Sequence, residues 1–216
     1  EGDLDQLCML MVNPATAQLL LTEFVDLKAG DWMIQSAANS AVGFYLVQLA
    51  KARGANVVSV VRRESAVADL KAVGADVVIV DSPDLARDVK VATGAKMKLA
   101  VDAVAGDTAG RLADTLERGG TLVNYGGMSN QPSALGAGAL IFNDIIVRGF
   151  WLVLWFEKAT KEERIGVYAA LTAAVAKGEL HAPIDKVFAL DEIAEAARYS
   201  WAGGRSGKVL IAPNGI

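Results

Sequence analysis

Two groups of residues in this chain could do chemistry on a charged ligand. The first is the run Ala37-Ala38-Asn39-Ser40-Ala41-Val42-Gly43. Small side chains let a ligand come close to the backbone. Backbone N–H groups at the start of a helix hold anions, because the helix dipole places partial positive charge there. The second group is Arg62-Arg63, which ends the apolar run Val57–Val61, with Arg62 nineteen residues after Gly43. In a dinucleotide site that position faces the adenosine ribose. Asp or Glu there suits free hydroxyls, whereas arginine accommodates a 2′-phosphate. The guanidinium is planar, permanently charged and matched to phosphate oxygens. Together the two groups point to NADP(H). The loop keeps only the last glycine, Gly43, of G-x-G-x-x-G. Small-residue turns also start ordinary helices, and an arginine pair can be a solvated strand end, so the neighbouring elements must decide.

Those elements have the required order. Trp32–Ser36 reads as a strand. Val42 to Arg53 reads as a helix, with Val42, Leu46, Leu49 and Ala50 on one face and Gly54 as its stop. Val57–Val61, β-branched apart from Ser59, reads as a strand buried on both faces. Strand, small-residue loop, helix and strand within about thirty residues is the context a dinucleotide fingerprint needs. Upstream, Leu7–Val12 is an apolar run too short to assign, Pro14–Leu27 is a helix and Lys28–Asp31 a turn. Downstream, helices Ser65–Val73, Asp84–Thr93 and Asp107–Glu117 alternate with strands Val77–Val80, Leu99–Val104 and Thr121–Tyr125. This alternation predicts an α/β fold with a doubly wound parallel sheet, a Rossmann fold. A loop then runs from Gly126-Gly127 to about Gly138. Asp144–Gly149 reads as a last strand at the sheet edge, before the aromatic cluster Phe150–Phe156. Lys161–Lys177 is a helix. The tail, with strands Ile184–Leu190 and Lys208–Ile211 and a helix over Asp191–Tyr199, reads as part of another layer.

The totals exclude several classes. A chain of 216 residues with 53% hydrophobic content can bury a sizeable core. A net charge of −4 gives no footprint for nucleic acid. No apolar run approaches the ~20 residues of a membrane span. One cysteine, Cys8, allows no internal disulfide and fits a reducing compartment, read here as cytoplasmic. Cys8 is expected to be a buried small hydrophobe. With His181 as the single histidine, expected in a loop, no Cys/His zinc cage can form.

Six short motifs in one order extend this reading: Asn13-Pro14-Ala15-Thr16-Ala17, Ile34-Gln35-Ser36-Ala37-Ala38-Asn39-Ser40-Ala41-Val42-Gly43, Val60-Val61-Arg62, Asn124-Tyr125-Gly126-Gly127-Met128, Arg148-Gly149-Phe150-Trp151-Leu152 and Gly207-Lys208-Val209-Leu210. In combination they resemble the zinc-independent medium-chain dehydrogenases/reductases, above all the enoyl thioester reductases of trans-2-enoyl-CoA reductase type. Related enzymes are named quinone oxidoreductases.

The resemblance implies roles. Asn13 would touch the nicotinamide end. Asn39, Ser40, Ala41 and Val42 would hold the diphosphate, and Arg62 the 2′-phosphate. A second arginine tends to follow two residues later in the family; Glu64 stands there, and Arg63 comes one place early. Tyr125, Gly126, Gly127 and Met128 would line the nicotinamide ribose. Phe150, Trp151 and Leu152 would border the nicotinamide and an acyl pocket, with plain core packing as the alternative. Lys208 would reach a cofactor phosphate or else lie on the surface. The position where zinc enzymes carry a ligating cysteine is Asn13-Pro14 here, which implies a metal-free mechanism.

The implied organisation is residues 1–13 as a lead-in, 14–180 as the NADP-binding domain, and 181–216 as a C-terminal remnant of a GroES-like catalytic domain. Most of that domain, with its proton-donating tyrosine, would precede this sequence, so no catalytic acid is expected among these residues. The expected activity is NADPH-dependent reduction of an activated C=C bond, in a 2-enoyl thioester, by a homodimer paired along Asp144–Gly149. Quinone reduction by the same cofactor site, or a cofactor-binding module without turnover, are the other readings.

Overall fold

The computed structural model describes residues 2–215. Six strands form one parallel sheet: β1 (Trp32–Gln35), β2 (Asn56–Val61), β3 (Val77–Val80), β4 (Met97–Asp102), β5 (Leu116–Asn124) and β6 (Ile146–Gly149). Their order is β3-β2-β1-β4-β5-β6, all neighbours parallel. This is the doubly wound arrangement, and its strand order reverses between β1 and β4. The carboxyl ends of strands at such a switch point are where these sheets bind ligands.

The order follows from burial. Strand residues alternate between two cores: Met33, Val57, Val61, Leu99, Val101 and Val123 face one, while Ile34, Val58, Val60, Ala100 and Leu122 face the other. A sheet apolar on both faces must be covered twice. The first face carries α2 (Asn13–Thr22), α3 (Ala41–Ala52), α4 (Val67–Ala72) and α9 (Lys161–Ala176). The second carries α5 (Leu85–Thr93), α6 (Gly106–Ala113) and α7 (Ala137–Phe142). Ala15 and Ala17 on α2 are fully buried, and their size lets α2 lie close to α3.

Local signals set several boundaries. Gly94 closes α5 at φ +66°, and Gly54 follows α3 at φ +76°, both in the left-handed region that favours glycine. Thr160 and Glu163 cap α9 reciprocally: the Glu163 amide donates to Thr160 Oγ1 (3.2 Å), and the Thr160 amide to Glu163 Oε2 (2.7 Å).

Several sequence expectations are completed or corrected. The unassigned run after residue 7 is mostly turns following a single helical turn, α1 (Leu4–Leu7). Cys8 is exposed rather than buried, because it lies on the outer side of those turns. The segment after Gly126 contains α7, and the aromatic cluster forms the helix α8 (Leu152–Lys158). The tail, read as strand, helix and strand, forms a parallel βαβ unit. It runs β7 (Ile184–Ala189), α10 (Ile193–Ala202) and β8 (Lys208–Ala212), with β7 and β8 paired in parallel as a separate two-stranded sheet.

The tail is tied back to the N-terminal part. Gln6 exchanges two hydrogen bonds with the Ala182 backbone (3.0 and 2.9 Å), and Gln48 does the same with exposed His181 (2.7 and 3.1 Å). No helix among the described residues is long and apolar enough to cross a membrane.

Candidate cofactor site

The loop between β1 and α3 is built by packing rather than by three glycines. Ser40 is extended (φ −80°, ψ 162°) and caps α3, its Oγ accepting from the Gly43 amide at 3.2 Å. The amides of Ala41 and Val42, in the first turn, have no intrahelical acceptor. Gly43 is forced by contact: a Cβ there would stand 2.1 Å from the Ala38 carbonyl oxygen. Gln35, fully buried on β1, donates to the Gly43 carbonyl and to Ser59 Oγ, each at 3.1 Å. The loop is thereby pinned to β1 and β2. Ala37 at its start holds φ +47°, an uncommon conformation for a residue with a side chain.

A buried carboxylate organises the ends of three strands. Asp102, at the end of β4, is fully buried. It accepts from Ser36 Oγ (2.7 Å), the amides of Val104 and Ala105 (both 2.9 Å) and Asn124 Nδ2 (3.0 Å). Ser36 Oγ in turn accepts from the Ala103 amide at 2.9 Å. The network joins the ends of β1, β4 and β5 and folds the next loop so that Ala105 sits at φ +63°, ψ −154°, a region normally left to glycine.

The cavity formed above these ends has a volume of about 420 Å³. From the sheet it is lined by Ala37, Asn39, Ser40, Ala41, Arg62, Arg63, Val104, Met128 and Ser129. From the tail come Gly203, Gly204, Arg205, Gly207 and Lys208. Among the described residues, four lining side chains are cationic and none is acidic. Burial first, and then the Arg205 charge, hold the Lys208 amine below the usual lysine value.

The structure thus brings together seven expected residues: Asn39, Ser40, Ala41, Arg62, Arg63, Met128 and Lys208. Val42 is buried behind them in the first turn of α3. Tyr125, Gly126 and Gly127 continue β5 beside the cavity. The Tyr125 amide donates to the Asp102 carbonyl at 2.9 Å. Gly126 lies so close to Ala103 that a Cβ would meet its carbonyl oxygen at 2.9 Å. Burial drives the Tyr125 phenol pKa well above the ordinary value; the Ser40 hydroxyl opposes this and the Asp102 carboxylate adds to it. The phenol therefore stays protonated.

The remaining expected residues lie elsewhere. Asn13 is half-buried in the first turn of α2 and does not line the cavity. Phe150 and Trp151 line a second depression of about 300 Å³, with Phe24, Arg148 and Trp155. Phe150 meets Phe24 edge-on, with ring centroids 6.0 Å apart, and the Arg148 guanidinium stands 5.8 Å above the Phe24 ring. Leu152 packs against the core instead. Part of the aromatic cluster is plain packing too, since Phe156 stacks on Tyr168 at 5.8 Å.

Sequence reasoning missed Arg205 and the Asp102 network. Each left a signal: an arginine inside Gly203-Gly204-Arg205-Ser206-Gly207, and an aspartate ending the otherwise apolar Leu99-Ala100-Val101. Among the described residues no group of three or more His, Cys, Asp or Glu side chains could hold a metal ion.

Comparison with known proteins gives a consistent picture. The family model described as zinc-binding dehydrogenase matches residues 41–165, more than half of the chain. An enoyl-[acyl-carrier-protein] reductase, mitochondrial, from Dictyostelium discoideum is 38% identical over 215 residues, covering 96% of this chain and 61% of that protein. A solved complex of Etr1p, from Candida tropicalis, with NADP and crotonyl-CoA superposes with TM-score 0.84 at 29% identity, over 94% of this chain and 60% of that one. A putative NADPH:quinone reductase from Bacillus thuringiensis has TM-score 0.87 at 21% identity, over 96% of this chain and 63% of that one, and shares the fold. The chain spans about 61% of the length of the Dictyostelium relative. The relatives named as enoyl reductases are named mitochondrial, which overturns the cytoplasmic expectation. A lone free cysteine indicates only a reducing compartment, and the cytoplasm is not the sole one.

Proposed function

The chain belongs to the zinc-binding dehydrogenase family, within the medium-chain dehydrogenases/reductases, and from that premise we propose that it holds NADPH for the reduction of a 2-enoyl thioester. The observation that carries this is the cavity at the switch point. It joins the amino end of α3 to Arg62 and Arg63 and has no carboxylate in its lining among the described residues. A carboxylate would favour the unphosphorylated cofactor, whereas these guanidiniums favour the 2′-phosphate. The likeness to the Etr1p complex with NADP and crotonyl-CoA supports the same reading.

The chain's own residues hold, orient and shield. The amides of Ala41 and Val42, with Ser40 and Asn39, hold the diphosphate; Arg62, and Arg63 beside it, hold the 2′-phosphate. Tyr125 to Met128 would flank the nicotinamide ribose, with Phe150 and Trp151 toward the acyl chain. The bound nicotinamide supplies a hydride for the β-carbon of the substrate. Residues 14–180 serve as the dinucleotide-binding domain, and 181–216 return toward a catalytic domain that supplies the proton.

Side-by-side titration with NADPH and NADH tests the cofactor; equal affinities end the arginine argument. In the full-length protein, crotonyl-CoA should drive NADPH oxidation and a benzoquinone should not. The reverse preference selects quinone reduction, which uses the same cofactor site.

Assembly is proposed as a homodimer along β6. This edge strand exposes Ile146 (50%) and Val147 (41%), next to Phe142 on α7 (74%). An unpaired apolar edge invites pairing across a two-fold axis. Light scattering that shows a monomer of the full-length protein removes this part.

A further inference from the structure

We propose that the turn Gly203–Lys208 is the second jaw of the adenosine-phosphate site, and that Arg205 shares with Arg62 the selection of the 2′-phosphorylated cofactor. The proposal rests on the dinucleotide reading and extends it to a part of the chain that lies outside the six-stranded sheet.

Two cations of the cavity, Arg62 and Arg63, come from the end of β2. The other two, Arg205 and Lys208, come from the turn between α10 and β8, some 140 residues later in sequence. The turn can reach across because Gly203 and Gly204 both hold positive φ, +74° and +82°. The jaws meet at Gly204, where an added Cβ would lie 3.7 Å from Arg63 Nη1. Gly207 fixes the other end of the turn. A Cβ there would collide with the Pro183 carbonyl at 2.5 Å.

Arg205 is placed for a ligand it does not find within the chain. Its Nε is buried and donates to nothing among the described residues, and its guanidinium makes no ion pair there. The acid whose charge it feels, Asp185, is committed elsewhere. Asp185 accepts from Tyr199 Oη at 2.6 Å and from Ser206 Oγ at 2.9 Å. A partly buried guanidinium with an unmatched N–H is costly, and placing it near another cation raises the cost. A phosphate dianion between the jaws removes both costs. The dinucleotide then links the tail to the main sheet.

Arg205→Gln and Arg62→Gln are compared with the unaltered chain by calorimetric titration of NADPH, NADH and adenosine 2′,5′-bisphosphate. For Arg205→Gln, NADPH and the bisphosphate should weaken about tenfold or more, the loss of a charge-assisted hydrogen bond. NADH should change less than about twofold. If Arg62→Gln lowers the NADPH/NADH ratio while Arg205→Gln leaves it unchanged, this proposal falls and the cofactor reading stands. If neither variant changes the ratio, the cofactor reading fails first. Equal losses for NADH and NADPH also overturn the proposal, because they place Arg205 on the diphosphate or the fold. Should the variant fold poorly, hydrogen exchange on the unaltered chain decides. Amides 203–208 should gain protection with NADPH but not with NADH, and equal protection refutes it.

Discussion

Replacing Gly43 by alanine tests whether the loop between β1 and α3 is built by close packing on α3. The added methyl would meet the Ala38 carbonyl oxygen at 2.1 Å, its carbon at 2.6 Å and the Ala38 Cα at 2.7 Å. All three are backbone atoms, so no side chain can swing away. An unstrained contact needs about 3.5 Å, so the loop and the first turn of α3 must part by more than ~1 Å. Overpacking costs about 1–3 kcal/mol when side chains can adjust; with backbone on both sides we expect about 3 kcal/mol. The Gln35 hydrogen bond to the Gly43 carbonyl, 3.1 Å long, is strained by the same movement. In a domain of this size 1 kcal/mol moves Tm by about 2–4 °C, so Gly43→Ala should melt about 6–12 °C lower by circular dichroism. NADPH should also bind at least about tenfold more weakly, since the amides of the first turn are displaced. Gly127→Ala is the stability control, because no atom lies within 4 Å of its Cβ position. A Gly43→Ala protein that melts within about 2 °C of the parent and binds NADPH equally well would refute the packing argument.

Other substitutions probe the rest of the site and frame. Asp102→Asn turns an amide toward donors that now meet a carboxylate, and should lower the urea midpoint by the equivalent of about 3 kcal/mol with an unchanged m-value. Ala105→Gly relieves the φ +63°, ψ −154° conformation; strain of roughly 1–3 kcal/mol outweighs the added unfolded-state entropy, so a net gain of about 1 kcal/mol should appear as a higher Tm. Gly166→Ala, on exposed α9 with no atom near the new methyl, should stabilise by about 1 kcal/mol in the same melt. The Lys208 amine is held below the usual lysine value by burial and then by Arg205, and a polyanion favours its charged form. NADPH affinity should therefore fall as pH rises through that depressed value, and binding at such a pH should take up protons, read by calorimetry in buffers of different ionisation enthalpy.

The sheet was legible because β1 to β4 and the second half of β5 are short apolar runs separated by helices with clear stops, such as Gly54 and Gly94; the start of β5, Leu116-Glu117-Arg118, carries charge and reads as a helix end instead. Arg62 and Arg63 were legible for the same reason, since a charge pair directly after an apolar strand must sit at a strand end. Two features escaped. Arg205 belongs to the cavity only because Gly203 and Gly204 bend the chain back, and no periodicity encodes where a left-handed turn will point. Asp102 was overlooked because a carboxylate closing a strand looks like a solvated end. It becomes a hub only once β1 and β5 flank β4 and bring Ser36 and Asn124 alongside.

The loop between β1 and α3 shows how such a turn can be built with a single glycine of the usual three. A glycine is needed only where a Cβ would strike backbone or where φ must be positive. In this loop the first condition holds at Gly43 alone. The second arises at Ala37, with φ +47°, and alanine tolerates it because the surrounding bonds over-determine the turn. The Ser36 amide donates to the Val101 carbonyl (3.0 Å), the Ala38 amide to Val60 (3.1 Å) and the Ser40 amide to Ala37 (2.9 Å). Each bond ties one step of the loop to β4, to β2 or to itself. The strain at Ala37 is thus maintained by the sheet, which also fixes the direction of the free amides of α3. Weakening the frame should therefore reach the ligand before it unfolds the chain. Asp102→Asn should lose NADPH affinity at urea concentrations where its circular dichroism is still native, and simultaneous loss of both signals would show that the loop has no independent play.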